Sequence, residues 1–316
     1  MASVMTGAVP PVAAATATKP RAGTDMGTRT LVSRAQLNRP RGKVLYWTAL
    51  VLTVAVFTLV FLGPLYMMVT GGLKSTQEAI QDPPTLYPHH VQASTYHTAW
   101  TQLNLAKLLL NTLIYAFGAL LFQLILDISA AYAFSKLRPV LGNVLLGAML
   151  STLMIPAMVL IVPQYLTAID LPFIHVNLLN TPWAIWVPGV ANAFNIFLLK
   201  RFFDSIPQEL LDAAAIDGAG PLRTLWSIVL PMSRPIVSVV SIFALVAVWK
   251  DFLWPLLVEP DPTKQTLNAG IFSLSQGVPE NVLIAASAIS AVPTIVFFLF
   301  FQRNIMAGLT AGSLKG

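Results

Sequence analysis

The chain has 316 residues, of which 56% are hydrophobic and only 10% are charged, and its mean hydropathy is +0.71. This composition excludes a soluble globular protein and predicts an all-α integral membrane protein. The formal net charge is +6, and the absence of cysteine excludes disulfides, thiol catalysis and cysteine-ligated metal sites.

The N-terminal segment, residues 1–43, is rich in Ala, Thr, Pro and Arg and has no apolar periodicity. It is predicted to be a disordered basic cytoplasmic tail whose end lies on anionic membrane lipid. The next apolar run is a full span without a signal-peptide cleavage pattern, so we expect it to stay attached. Residues 44–316 are then predicted to form one six-helix transmembrane domain.

Six apolar segments are long enough to cross the hydrocarbon core of a bilayer, which requires roughly 20 residues per helix. The predicted spans are residues 44–70, 107–134, 141–168, 177–200, 235–258 and 281–302. Prolines in spans 3 to 6 predict bent helices, because each proline removes a backbone donor. These prolines are Pro156, Pro163, Pro182, Pro188, Pro255 and Pro293.

The basic residues predict the orientation of the spans. With the N-terminus inside, the outer side holds only Lys74, Lys107, Lys250 and Lys264, and all other Lys and Arg residues fall on the inner side. Because cytoplasmic flanks retain basic residues, both termini are predicted to be cytoplasmic. The net charge therefore reflects topology, and no nucleic-acid partner is expected.

Three polar residues in spans 2 and 4 are candidates for a translocation path: Asp127, Asn192 and Asn195. A carboxylate within the membrane must face the bundle or a wet cavity. Asp127 has three interpretations: an ion pair with a Lys or Arg of a neighbouring span, a residue lining the path, or a proton relay. We favour the ion pair, because lone buried charges are usually paired.

A polar, Ala-rich stretch between spans 4 and 5, residues 205–231, predicts a cytoplasmic helix-turn-helix that docks on another protein. Ser205 is the expected N-cap, with Gln208 completing a capping box and Pro207 in the first turn. Gly218 is expected to stop the first helix, and Pro221 to open the second.

Carboxylates and small side chains are the predicted contacts of this stretch with its partner. Glu209, Asp212 and Asp217 would face basic residues, while Ala213 and Ala214 would permit close approach. The alternative is an amphipathic connector lying on the bilayer. The acidic character disfavours that alternative, because such helices usually carry Lys and Arg on the polar face.

Span 5 carries a charged pair, Lys250 and Asp251, between Trp249 and Trp254. Indole rings beside hydrogen-bonding groups suit sugars, which places these four residues among the path candidates. Trp residues near a membrane boundary are also common interface anchors, and this interpretation stays open. The four His residues lie in predicted outer loops without ligand-like partners, so no metal site is expected.

The docking stretch resembles the EAA loop of ABC importer permeases, EAA-x3-G-x9-I-x-LP, with Asp in place of the first Glu. The matching residues are Asp212, Ala213, Ala214, Gly218, Ile228, Leu230 and Pro231. Beyond this loop the chain is similar to maltose-type carbohydrate permeases of the MalG-like subunit. The matching segments are residues 72–78, 130–138, 154–165, 197–220, 252–256 and 308–316.

The resemblance implies a type I ABC importer permease fold in a bacterial inner membrane, in which residues 205–231 hold the coupling helix. It also implies an ABC ATPase dimer, a second homologous permease and an extracytoplasmic solute-binding protein as partners. ATP and Mg would be used by the ATPase, and this chain would bind no cofactor and would carry a sugar or an oligosaccharide.

The sequence also predicts that this chain is not an enzyme, because it lacks a phosphate-binding loop, an HExxH motif and a nucleophile elbow. Two alternatives remain open. One is an ABC importer for a glycerol phosphodiester, a polyamine or a peptide. The other is a self-sufficient channel or ion-coupled transporter, with Asp127, Lys250 and Asp251 as its pathway.

Overall fold

The computed structural model describes residues 40–313, with side chains through Gln302. The described chain divides into two units, which meet between Val60 and Phe61. Regular structure in the described residues is entirely helical. The described part of the first unit, residues 40–60, is uninterrupted helix. The predicted tail lies outside the described residues, except that residues 40–43 already form the first turn of this helix.

Fourteen helical segments follow one another along the described chain, counting contiguous α- and π-helical turns together. They are α1 (Pro40–Gly71), α2 (Thr76–Ala79), α3 (Ser94–Gln102), α4 (Leu105–Leu137), α5 (Gly142–Thr152), α6 (Ala157–Ile169), α7 (Pro182–Trp186), α8 (Ala193–Asp204), α9 (Gln208–Ile216), α10 (Pro221–Met232), α11 (Arg234–Lys250), α12 (Leu253–Val258), α13 (Leu267–Ser273) and α14 (Glu280–Ser313).

Three of these helices, α1, α4 and α14, are long and apolar enough by themselves to cross a membrane. Two further pairs pass the same test only when taken together, because α5 and α6 meet at 105° and α10 and α11 at 85°. The described residues thus hold three spans, or up to five if each bent pair is one span. The predicted number of six stays a prediction.

Span 4, predicted as a proline-bent helix over residues 177–200, is divided into two separate helices. Helix α7 ends at Trp186 and α8 begins at Ala193, with Pro188 and Gly189 in the turn between them. Proline cannot supply the helical N–H, and glycine permits the turn. Asn192 caps the new N-terminus, because its side chain accepts a hydrogen bond from the backbone N–H of Asn195 at 3.1 Å.

Spans 3 and 5 are also interrupted where proline forbids a regular helix. Pro156 separates α5 from α6. Pro255 lies inside α12, and its ring would clash with the carbonyl group of Asp251 in a continuous helix. Asp251 accordingly takes an extended conformation, with φ −69° and ψ 129°, and α11 ends at Lys250.

The main apolar core of the second unit forms where α4, α8 and α11 pack together. It includes the fully buried residues Ala131, Leu199, Phe203 and Val240. A second core around Leu105 joins the start of α4 to α13 and α14. Because α4 takes part in both cores, its two ends are held by packing, and the polar residues along it have fixed positions.

Candidate functional site

The turn after α9 has the structure that its sequence predicts. Gly218 has a φ of +76°, a left-handed conformation that favours glycine. The Ala219 N–H donates to the Ala214 carbonyl at 2.8 Å, and the Gly218 N–H donates to the Ala215 carbonyl at 3.0 Å. These two bonds form a Schellman motif, so α9 stops sharply and the chain reverses.

The predicted capping box at the start of α9 is wrong. The Ser205 hydroxyl donates to the Phe202 carbonyl at 2.7 Å, so Ser205 belongs to the end of α8. Pro207 instead occupies the N-cap position, with an extended conformation, and Gln208 is the first helical residue. The Gln208 side chain donates to the Asp212 carboxylate at 3.1 Å, four residues ahead.

The second helix begins at Pro221, as predicted, and is tied to the bundle at its first residue. The Tyr132 hydroxyl of α4 donates to the Pro221 carbonyl at 3.0 Å. One π-helical turn, Leu225–Val229, lies within α10 and buries Leu225 and Val229 in the main core. Ile228 and Leu230 of the EAA-like pattern are half-buried, so their side chains help to pack α10 against the rest of the chain. Pro231 is exposed.

The predicted contact residues of α9 differ in their exposure. Glu209, Asp212, Ala213 and Asp217 are exposed, as is Gly218. Ala214 is only 7% exposed, so the expectation that it receives a partner is wrong. Its small side chain instead lets α9 pack closely on its own chain.

Sequence reasoning missed a set of exposed apolar side chains on α9, α10 and the turn between them. We call this set the docking surface: Leu210, Ile216, Leu222 and Trp226. Ile216 is 87% exposed and Trp226 is 68% exposed. Large apolar side chains grouped on a polar element mark a contact with another protein or with the membrane surface. Their interleaving with acidic residues was the signal available in the sequence.

Three predicted path residues, Asn192, Asp251 and Trp254, line one cavity of about 360 Å³. We call it the helix-lined cavity, because α4, α6, α7, α11 and α12 form its walls. Sequence reasoning missed three of its side chains, Gln123, Gln164 and Trp186. The cavity thus combines amide, carboxylate and indole groups on mostly apolar walls, which is the composition of small-molecule sites.

Asp127 and Asn195 lie behind this cavity. Asp127 is fully buried, and its Oδ1 accepts the backbone N–H of Asn192 at 2.9 Å, just before α8 begins. Among the described residues no Lys or Arg forms an ion pair with it, so the predicted salt bridge is wrong. A helix N-terminus takes the place of the cation. Asp127 therefore fixes Asn192 at the edge of the cavity.

Trp249 and Lys250 do not join this cavity. They border a separate apolar pocket with Phe297, whose ring centre lies 6.1 Å from that of Trp249. Trp249 is buried in the second core, whereas Lys250 is exposed. The structure therefore separates these two residues from Asp251 and Trp254.

Both indoles of the helix-lined cavity are anchored through their ring nitrogens. The Trp254 Nε1 donates to the Ala184 carbonyl at 2.9 Å, and the Trp186 Nε1 donates to the Tyr115 carbonyl at 3.0 Å. Their rings remain part of the cavity wall while their polar ends are occupied. Each ring can offer an apolar face to a cargo but no N–H.

Trp186 approaches α4 at a glycine. A Cβ atom added at Gly118 would lie 2.3 Å from the Trp186 ring, far inside van der Waals contact. The position of the Trp186 ring in the cavity wall therefore depends on the absence of a side chain at Gly118. A glycine inside an apolar span was the signal in the sequence.

A buried carboxylate, Glu259, lies in the predicted outer loop after α12. It is fully buried, and among the described residues neither of its carboxylate oxygens has a hydrogen-bond partner. Burial raises its pKa to about 7; the charge of Lys264 lowers the value and that of Asp261 raises it. No group of three or more His, Asp or Glu side chains in residues 40–302 is arranged to hold a metal ion.

Comparison with known proteins places this geometry in a family. The family described as binding-protein-dependent transport system inner membrane component matches residues 123–309, more than half of the chain. The chain is 29% identical to the diacetylchitobiose uptake system permease protein NgcG of Streptomyces coelicolor, over 82% of this chain and 86% of that protein. It is 32% identical to the sn-glycerol-3-phosphate transport system permease protein UgpE of Yersinia pestis, over 79% of this chain and 91% of that protein.

Solved structures share the fold. A chain of a bacterial ABC transporter involved in the import of the acidic polysaccharide alginate superposes with a TM-score of 0.73 and 22% identity, over 87% of this chain and 99% of that one. A bacterial alginate ABC transporter in complex with an alginate pentasaccharide-bound periplasmic protein gives a TM-score of 0.59 and 20% identity, over 84% and 96%. The chain belongs to the family of inner membrane components of binding-protein-dependent transport systems.

Proposed function

We propose that the cargo of this ABC importer permease is a sugar or an oligosaccharide. The relative from Streptomyces coelicolor is named for the uptake of diacetylchitobiose, a sugar. The helix-lined cavity supports the same class of cargo, since amide and carboxylate groups bind hydroxyls while the rings of Trp186 and Trp254 offer apolar faces. The chain is a multi-pass membrane permease and not an enzyme.

The family depends on a solute-binding protein, and the other partners are part of our proposal. An ABC ATPase dimer would use ATP and Mg, and a second homologous permease would complete the pathway. We further infer that both termini are cytoplasmic, because the basic residues favour that side. In this orientation α9 and α10 face the ATPase.

The observation that carries the coupling role is the docking surface on α9 and α10. Closure of the ATPase pair would move this surface, and the hydrogen bond between Tyr132 and Pro221 would pass the movement to α4. Gln123 of α4 lines the helix-lined cavity, so the same helix reaches the cargo. ATP would then select between two packings of one bundle.

Uptake by cells that lack the chain and are resupplied with it tests the cargo. We expect ATP-dependent uptake of a labelled chito-oligosaccharide that unlabelled sugars suppress and glycerol 3-phosphate does not. A Trp254→Ala variant should lower this uptake, while Phe173→Ala, on an exposed loop outside the cavity, should leave it unchanged. Uptake that only glycerol 3-phosphate suppresses would contradict the sugar assignment.

A second candidate cargo is a glycerol phosphate, because the relatives named UgpE reach 32% identity. The charge of the cavity disfavours it. Among the residues lining the helix-lined cavity, the one charged side chain is Asp251, and no Lys or Arg is present. A phosphate would meet a carboxylate without a compensating cation, which costs binding energy.

A further inference from the structure

A polar groove of about 840 Å³ lies beside the start of α9, apart from the cavity and the docking surface. Its walls are the last turn of α4, the loop before α5, the end of α8 and the first residues of α9. Three cationic side chains line it, Lys136, Arg138 and Lys200. We call it the basic groove.

One of these three cations is neutralised within the chain. The Lys200 Nζ lies 2.7 Å from Asp204 Oδ2, and the other oxygen of Asp204 accepts the Ser135 hydroxyl at 2.7 Å. Both oxygens of this carboxylate are therefore occupied. Asp204 forms its ion pair with Lys200, and its charge also acts on Lys136 without an ion-pair contact.

Lys136 and Arg138 are held in place by carbonyl groups. The Lys136 Nζ donates to the Ile206 carbonyl at 3.3 Å, and the Arg138 Nε donates to the Ser135 carbonyl at 3.4 Å. Between residues 40 and 302 neither side chain forms an ion pair with a carboxylate. Glu209, on the opposite wall, is the remaining acidic side chain of the groove and is itself exposed. The groove keeps a net positive charge with donors available.

The neighbouring surface is strongly apolar. Val140 lines the groove and is fully exposed, and Leu141, Val144 and Leu145 beside it are each more than half exposed. A ligand that satisfies both surfaces has an anionic head and an apolar body. Anionic phospholipid has this chemistry, whereas a free phosphate would leave the apolar side chains in water.

We propose that the basic groove binds the phosphate headgroup of an anionic phospholipid, with its acyl chains along the start of α5. Lys136 and Arg138 contact the phosphate. The groove joins the end of α4 to Pro207 and to Gln208, the first residue of α9. A bound lipid therefore links the membrane-embedded bundle to the coupling element, by which we mean α9, α10 and the turn between them. Anionic lipid thereby stabilises the position of α9.

The test is lipid binding by the purified full chain in nanodiscs of phosphatidylglycerol or phosphatidylcholine, followed by native mass spectrometry of retained lipid. We expect preferential retention of phosphatidylglycerol. Each of Lys136→Gln and Arg138→Gln should weaken retention about fivefold, the effect of one cation near an anionic membrane. Arg223→Gln is the matched control, because this exposed cation lies on α10 outside the groove.

Thermal unfolding of each variant separates loss of lipid binding from loss of folding. If a variant fails to fold, Lys136→Arg or Arg138→Lys takes its place, and this charge-conserving variant should retain lipid. Equal retention of the two lipids, or an equal loss in Arg223→Gln, would overturn the proposal. Displacement of the bound lipid by inorganic phosphate alone would overturn the lipid assignment and identify a soluble phosphate as the occupant.

Discussion

Because Gly118 has no side chain, the Trp186 ring can pack against α4 and form part of the wall of the helix-lined cavity. A Gly118→Ala change places a methyl group where the Trp186 ring lies, so the ring must move and its bond to the Tyr115 carbonyl is lost. We expect a loss of about 1–3 kcal/mol in stability, together with reduced uptake. Thermal unfolding and transport assays measure both effects.

Gly147→Ala is the matched control for this change. Gly147 lies inside α5, and apart from its chain neighbours and its own helix backbone no atom lies within 4 Å of an added Cβ. Alanine is the better helix former by about 1 kcal/mol, so this variant should be neutral or slightly more stable. Similar losses in both variants would contradict the packing argument.

The pKa of Glu259 predicts a pH dependence of stability. Burial raises this pKa to about 7 from an ordinary value of 4.5, so the folded chain binds the proton more tightly than the unfolded chain. Stability therefore falls as the pH rises from about 4.5 to about 7 and then levels off. Glu259→Gln should remove this slope and stabilise the chain at about pH 8 by a few kcal/mol.

Unfolding midpoints of the purified chain at about pH 5 and about pH 8 measure this difference. Asp261→Asn is an informative control, because hydrogen bonds from Thr263 hold the pKa of Asp261 below its usual value. That carboxylate stabilises the chain at neutral pH and ceases to do so on acidification, so this variant should change stability in the opposite direction. Parallel pH profiles for the wild type and Glu259→Gln would refute the account of Glu259.

At the scale of the element, the turn between α9 and α10 depends on the left-handed conformation of Gly218. Gly218→Val has open space for its side chain, so its cost is backbone strain of about 1–2 kcal/mol. The strain displaces the docking surface, and we expect ATP-driven uptake to fall steeply while membrane insertion is unchanged. Gly220→Val, with open space and no positive φ, is the control and should retain uptake. Equal uptake in the two variants would remove the coupling role from this turn.

The elements that sequence reasoning predicted correctly are those fixed by local chemistry. The stop at Gly218 and the start at Pro221 follow from the backbone preferences of these residues themselves. The Ser205 cap failed because Ser205 has a local competitor, the Phe202 carbonyl at the end of α8. The break in span 4 required knowing that Asn192 and Asp127 could cap α8 in place of a continuous helix.

Contacts between segments that are distant along the chain could not be predicted from the sequence. The partner of Asp127 is a backbone N–H that exists only because span 4 is broken, so a search for basic side chains could not find it. Trp186 joins the cavity through the space at Gly118, 68 positions away along the chain. The exposure of Trp226 and the burial of Ala214 likewise depend on how α9 and α10 pack on α4 and α8.

At the scale of the whole molecule, the second unit joins three sites through α4. The helix carries Gln123 at the cavity, Tyr132 at the coupling element and Lys136 at the basic groove. Bent helix pairs surround it, at 105° and 85°. We therefore expect a displacement of α9 and α10 to reach the cavity through this one helix.

The central claim is that the docking surface joins this chain to an ABC ATPase. The most direct measurement is to tag the chain, solubilise membranes gently and identify the proteins that co-purify. We predict recovery of an ABC-type ATPase and a second permease, with the ATPase lost in a Leu222→Ser, Trp226→Ser variant that still folds. Phe173→Ser, an exposed apolar residue elsewhere, should retain it. Recovery of the tagged chain alone, or of an ATPase that binds the double variant equally well, would contradict the account.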